Sequence, residues 1–334
     1  MYAYIVRRLA LTIVVLLGIT IMTFAISNLI PADPARYAAG LEAGPEQVEK
    51  LRRELGLDRP PLVQYFNYMK NLLRGNLGIS VASRRPVAVD VAEYFPATLE
   101  LVLVAFVLTV IIGVPSGVMA AVRKDSLGDA LTRVPSLVAV GLPIFWLGLM
   151  GQFLLYWKYH LLPVGGRLGT FTASPPAITR LYLIDSLLSG QWGKFVETLK
   201  HLILPATCLA LGRIAVMTRL TRASLLEVLQ QDYVRTARAK GLSNRRVTYK
   251  HALKPAFIPI LTEMGMQFGW MLAGTVIVES IFAWPGVGRY AFTAIMYHDL
   301  PAVMGVTLVL TLFKVLSNLA VDVLYVWVDP RIKY

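Results

Sequence analysis

The chain is 334 residues long, 56% hydrophobic and only 16% charged, with a mean hydropathy of +0.59. A soluble domain carries about 25% charged residues, so an ordinary water-soluble fold is excluded and lipid is the expected solvent. The formal charge of +13 lies in loops between apolar runs, which fits membrane topology and argues against a nucleic-acid partner; one cysteine, Cys208, excludes an internal disulfide.

A bilayer core about 30 Å thick needs roughly 20 apolar residues in a helix. Leu9–Ile30, Leu101–Val122 and Val134–Trp157 meet this without a charge. Ala25 and Ser27 have the spacing of a cleavage site, but the first run exceeds the roughly 7–15 residues of a signal-peptide core, so it reads as an uncleaved anchor. Three charged spans follow: Leu202–Thr218 with Arg213, Ala256–Phe282 with Glu263 and Glu279, and Ala302–Val328 with Lys314 and Asp322. Backbone amides in lipid must be satisfied within the segment. The expected fold is therefore all-α and polytopic, with about six transmembrane helices.

Orientation follows from Lys and Arg in the short loops. With the amino terminus inside, the inner segments hold sixteen cations, nine of them in residues 219–255, whereas the outer loops 158–201 and 283–301 hold six. The first outer loop, Pro31–Thr98, is too long to count, and its nine cations face eight acids. Both termini are expected on the cytoplasmic side. The domain reading is an amino-terminal helix over 1–30, an extracytoplasmic helical loop over 31–98, and a core of five further spans over 99–334.

The first outer loop has structure of its own. Gly44-Pro45 opens a short amphipathic helix with Val48, Leu51 and Leu55 on one face, closed by Gly56. A second is expected from Pro61 to Arg74, before Gly75. Together they read either as a folded cap or as a connector on the lipid surface. In loop 158–201, Pro163, Gly165, Gly166, Pro175 and Pro176 make the first half irregular, and Ile178–Leu188 reads as an interfacial segment.

Residues 219–255 carry the most information. Leu225, Leu229, Tyr233 and Ala237 recur every four residues, one stripe of an α-helix. Arg238 and Lys240 suit its last turn, and Gly241 supplies the stop. Ser243 or Asn244 can cap a second short helix that ends before Pro255 and presents Arg245, Arg246 and Lys250. Such an elbow suits either a groove on a partner protein or anionic headgroups.

The stretch Asp232–Pro255, DYVRTARAKGLSNRRVTYKHALKP, resembles the EAA loop of bacterial ABC-importer permeases, and in particular the B-type permease subunit of the dipeptide, oligopeptide and nickel import family. GLDRPPLVQYFNYMKNLLRGNLGIS (56–80), LKHLILPA (199–206), ESIFAWPGVGRY (279–290) and DPRIKY (329–334) match in order, so the likeness spans essentially the whole chain. Arg235 replaces the glutamate that names the loop, with Thr236 and Ala237 in the alanine positions, and Pro255 is displaced by a residue. The resemblance implies a type I importer permease in the bacterial cytoplasmic membrane, working by alternating access. Its implied partners are a homologous second permease, two ATPase subunits and an extracytoplasmic substrate-binding protein. By the same analogy Ser243–Leu253 is a coupling helix, and Arg235, Thr236, Ala237, Gly241, Ser243, Arg245, Arg246, Val247 and Lys250 form the ATPase-coupling set.

Gly265, Gly269 and Ala273 form a small-residue face that lets another helix approach. Carboxylates in lipid cost a few kcal/mol and should face protein or water, which makes Glu263, Glu279 and Asp322 pathway candidates, although structural pairing explains them as well. Pro115, Pro143, Pro205 and Pro259 are expected kink positions. The chain has no G-x-x-x-x-G-K-[ST] loop, no H-E-x-x-H and no G-x-S-x-G, and its four histidines are scattered. No catalysis, cofactor or metal is expected, and ATP hydrolysis falls to the partners. A secondary transporter using the three acids as a proton relay is the rival reading, and the substrate among peptides, chelates and other solutes is left open.

Overall fold

A computed structural model describes residues 2–29, 34–39, 43–54, 56–126, 129–130, 138 and 140–328, with the backbone alone at 2–6, 9, 34, 37–38 and 321–328. Every regular element among them is helical, apart from one isolated antiparallel bridge between Ile79 and Pro86. A chain that must satisfy its own amides in lipid has this form.

Four helices among the described residues are long and apolar enough to cross a bilayer: Ala10–Leu29, Val87–Val122, Trp192–Leu229 and Leu300–Ala320. Two of them outrun the sequence expectation. Val87–Val122 has 36 residues and Trp192–Leu229 has 38, or about 55 Å each at roughly 1.5 Å per residue. The lipid boundary therefore does not end either helix. Val87–Thr98 is helical and continuous with Leu101–Val122, and the fourth helix runs on past Thr218 to Leu229. Leu253–Ile281 has 29 residues, enough to cross, but carries Lys254, Glu263 and Glu279. Of the expected third span, residues 134–137 and 139 lie outside the described set. Its later part begins after Pro143 as an α-helix, Ile144–Gly151, and widens to π spacing over Gln152–Lys158.

The chain divides into two compact units, residues 1–96 with 286–313, and residues 97–285 with 314–334. In the first, Val87, Val91, Val287, Ala294, Ala302 and Val306 form the buried core, and Tyr94 stacks on Tyr290 at 5.3 Å. Asp299 is fully buried and serves two elements at once. It accepts hydrogen bonds from the Ser80 hydroxyl and the Ala82 amide (3.0 Å), and its other oxygen caps the Leu300–Val328 helix through the Ala302 amide (3.2 Å). The two outer helices are present as Pro45–Glu54 and Pro61–Leu73. The second packs on the first span through Tyr65, whose hydroxyl lies 3.0 Å from Thr20 Oγ1 and whose ring meets Phe24 edge-on at 5.3 Å. It is thus held by protein, although Leu62, Phe66 and Leu73 stay exposed.

In the second unit, Met217, Ile260, Leu261 and Met264 form one buried cluster, and Val118, Ala121, Leu225, Ala252 and Ala256 another. Both join the helices Val87–Val122, Trp192–Leu229 and Leu253–Ile281. The approach of the first two is set by Gly113 and Gly117: a Cβ at Gly113 would sit 2.8 Å from Met217 Cβ, and one at Gly117 would sit 2.5 Å from Thr221 Cβ. Small residues four apart allow this in a membrane helix. Pro205 and Pro259 lie inside helices that stay continuous. The interfacial segment shortens to Tyr182–Leu188, anchored by buried Asp185, which accepts from the Thr179 amide and hydroxyl at 2.7 Å each and from the Arg180 amide at 2.9 Å.

Candidate functional site

The basic elbow begins where the Trp192–Leu229 helix stops. Gln230 closes the last turn and Gln231 swings to an extended conformation (φ −70°, ψ 149°), which opens a new helix, Asp232–Ala239. The single helix expected through Leu225, Leu229, Tyr233 and Ala237 is thus two, broken at the paired glutamines. At the far end Gly241 has φ +78°. Its amide donates to the Arg238 carbonyl at 2.9 Å and the Leu242 amide donates to the Ala237 carbonyl at 3.4 Å, which is the glycine-terminated C-cap in full. Leu242 then folds back against the helix it follows.

Ser243 is extended (φ −60°, ψ 144°) and starts the next helix, although its hydroxyl makes no capping bond there. Asn244–Arg246 is α-helical, Val247–Ala252 is π-helical, and Leu253–Ile281 follows without interruption. Pro255 does not end the helix, contrary to expectation. Proline has no N–H to give to a carbonyl one turn back, and the π-helical turns immediately before it widen the chain there.

The elbow has an inside and an outside. Val234, Ala237 and Val247 are buried together, with Val228, Leu229 and Leu242 against them. Arg235, Thr236, Ser243, Arg245, Arg246 and Lys250 face outward. So do Tyr233 and Tyr249, 46% and 58% exposed. Of the residues expected to contact a partner, Ala237 and Val247 therefore lie in the elbow's own core, and the cations form its outer surface. Arg235 meets Asp232 at 3.5 Å with both side chains exposed, a contact worth little in water.

Charges nearer the middle of the helices are placed differently. Glu279 is fully buried and accepts a hydrogen bond from Thr98 at 2.6 Å. Glu263 accepts from Gln267 at 2.9 Å, one turn along the same helix, and lies within electrostatic reach of Arg213. Asp322 falls where only the backbone is described. The structure does not bring Glu263 and Glu279 together; they are four turns apart on one helix. Gly269 receives the stem of Lys314, whose Cγ would be 3.1 Å from an added Cβ. Among the described residues no group of three His, Cys, Asp or Glu is arranged to hold a metal ion.

Two ion pairs were not legible in the sequence. Arg167, a loop cation by position, is buried on Glu100, lies over the Tyr182 ring at 3.5 Å and shares Glu100 with the Leu183 amide. Arg222 holds buried Asp129 with both ends of its fork, Nε to Oδ1 at 2.8 Å and the terminal nitrogen to Oδ2 at 2.7 Å. Their partners lie 67 and 93 positions apart, beyond the reach of any local pattern.

Residues 113–334 match the family model for the binding-protein-dependent transport system inner membrane component, and residues 1–102 match that family's amino-terminal model. The chain belongs to this family. It is similar along its whole length to the dipeptide transport system permease protein DppB of Alkalihalophilus pseudofirmus, with 46% identity and all of both chains covered. It is 43% identical to the Escherichia coli protein of the same name, over all of this chain and 99% of the relative. The probable D,D-dipeptide permease DdpB of Escherichia coli is also 43% identical, over 96% and 94%. Among solved structures, a chain of the inward-facing MetNI methionine ABC transporter aligns with a TM-score of 0.50, 14% identity and coverage of 70% of this permease and 93% of that chain. That likeness concerns the fold. The family assignment makes the chain a multi-pass membrane protein, and as a permease it leaves nucleotide hydrolysis to other subunits.

Proposed function

We propose that the chain is one of two transmembrane subunits of an ATP-driven importer of dipeptides, with both termini in the cytoplasm. End-to-end identity of 43–46% to dipeptide permeases carries this reading. The homologous second permease, two ATPase subunits and an extracytoplasmic binding protein are its partners. In this arrangement residues 1–30 anchor the chain, 31–98 form an outer helical segment, and 99–334 form the translocating core. The match of separate family models to 1–102 and 113–334 supports a division near residue 100.

The elbow is the surface that meets an ATPase subunit. Arg235, Thr236, Ser243, Arg245, Arg246 and Lys250 supply the contacts, while Ala237, Gly241 and Val247 hold the bend. Its outward cations and tyrosines over an apolar interior favour a protein groove, where a rigid, pre-shaped helix docks at low entropic cost. ATP binding by the partners displaces the elbow and biases the membrane helices between inward- and outward-facing states. The intramembrane acids Glu263, Glu279 and Asp322 are the candidates for lining the pathway.

Purification with a tagged version of this chain, followed by reconstitution into vesicles, tests the reading. ATPase subunits should accompany the chain, and dipeptide uptake should require ATP. Uptake by the chain alone, driven by a proton or sodium gradient, would replace it with the secondary-transporter reading.

A further inference from the structure

Three side chains from three helices of the second unit, Arg213, Trp270 and Lys314, meet around one aromatic ring. Lys314 Nζ lies 5.3 Å from the centroid of the Trp270 ring, and the Arg213 guanidinium carbon lies 5.8 Å from the same ring. All three fall within expected spans. Lys314 and Trp270 are exposed in the chain, and Arg213 is half-buried. Neither cation has a carboxylate within ion-pair distance among the described residues; Glu263 acts on Arg213 only from further off.

Two cations gathered on one indole at membrane depth are costly unless something negative joins them. A ring face offsets part of that cost through cation–π attraction, but one ring does not neutralise two charges. The arrangement is also built rather than incidental. Gly269, next to Trp270, leaves the space that the Lys314 stem occupies, and a Cβ there would press on it at 3.1 Å. A cavity of about 310 Å³, lined by Arg213, Trp270, Gly212, Met271 and Gly274 but not by Lys314, opens beside the ring; ligand pockets begin at roughly this size. Gln267, one turn before Trp270, is fully buried, and its Oε1 has no hydrogen-bond partner, although its amide nitrogen is used on Glu263. The Trp270 ring thus has a cation within 6 Å from each of two other helices, and Gln267 one turn away holds an acceptor in want of an N–H.

We infer that Arg213, Lys314 and Trp270 form an intramembrane subsite for the terminal carboxylate of a small peptide. The inference rests on the peptide-import reading and adds the group recognised and the residues that recognise it. A zwitterionic solute suits the place: its carboxylate meets Arg213 and Lys314, and Glu263 lies on the same helix as Trp270, two turns away.

The test uses the permease and ATPase subunits assembled without the binding protein, which would itself capture peptide. Equilibrium dialysis with radiolabelled dialanine and with its carboxy-terminal amide measures binding, and ATP-driven dialanine uptake is followed in parallel with the complete transporter. Dialanine should bind about tenfold or more tighter than the amide, the discrimination expected of a charge-assisted hydrogen bond. Lys314→Met should remove that preference by weakening dialanine alone, and Lys314→Arg should keep it. Gly269→Val, which retains both cations but fills the space that the Lys314 stem occupies, should lower the preference in the same direction, and it decides the matter if the Lys314→Met complex fails to assemble. Equal binding of acid and amide by the wild-type complex overturns the inference. So does an equal loss of both ligands in assembled variants, which would mean that the lysine meets a carboxylate of the second permease. In either case, persisting ATP-driven uptake leaves the importer reading intact; absence of such uptake in the wild-type transporter removes that reading instead.

Discussion

Thr98 donates its hydroxyl to Glu279 Oε1 at 2.6 Å, and both residues are buried completely or nearly so. A buried carboxylate that loses a donor bears its desolvation with less compensation, at about 1.5–3 kcal/mol for a bond to a charged group. Thr98→Val, which keeps the shape and removes the donor, should lower the stability of the purified permease by that amount, while Thr98→Ser should recover most of it. Unfolding midpoints in detergent decide the point. An unchanged midpoint in the valine variant would mean that the other contacts of Glu279 suffice.

Gly117 makes a second case, where space and not charge is decisive. Its hypothetical Cβ would lie 2.5 Å from Thr221 Cβ and 2.7 Å from the Thr218 carbonyl oxygen, so the neighbouring helix backbone has to move. Gly117→Ala should cost about 1–3 kcal/mol, the usual penalty of overpacking. Gly18→Ala in the first span, with nothing within 4 Å, should be neutral in the same assay. Equal stability of the two variants would show that the helices separate freely at this crossing.

These two sites mark where sequence stops being informative. The ends at Gly56, Gly75 and Gly241 were legible because a left-handed glycine acts within its own turn, and all three carry positive φ. The stop at Gly241 is local for the same reason, its cap bonds running no further than from Leu242 to Ala237, whereas the break at Gln230 and Gln231 and the run of helix through Pro255 carry no such local signal. Gly113 and Gly117 lie in an apolar run that gives no sign of what faces them. Helix lengths failed differently: hydropathy locates the lipid, whereas hydrogen bonding ends the helix, and in Val87–Val122 and Trp192–Leu229 the two do not coincide. Glu100–Arg167 and Asp129–Arg222 depend on loop paths that no periodicity encodes.

Arg222 and Asp129 form the most geometrically specific pair outside the expected site. Asp129 is 1% exposed, so removing its fork leaves a buried carboxylate without its main partner, typically a loss of about 3–5 kcal/mol. Arg222→Met should show it in full. Arg222→Lys should fall between, because an ammonium group cannot reproduce two parallel bonds. Thermal unfolding of the solubilised chain distinguishes these outcomes, and a lysine variant as stable as wild type would reduce the fork to a simple charge contact.

Gly241 is where stability and coupling separate. Its φ of +78° is unfavourable for a side chain, yet an added Cβ has nothing within 4 Å. A β-branched residue there strains the backbone by roughly 1–2 kcal/mol without a clash, and the chain relieves the strain by leaving the bend. Gly241→Val should therefore insert and assemble normally but misdirect the helix that follows. Asparagine tolerates the left-handed region, so Gly241→Asn should behave nearly as wild type. Dipeptide taken up per ATP hydrolysed is the quantity to measure: it should fall severalfold in the valine variant while ATP hydrolysis continues. If the valine variant keeps the wild-type ratio, the bend at Gly241 does not transmit the stroke, and the coupling role assigned to the elbow has to move elsewhere on the permease.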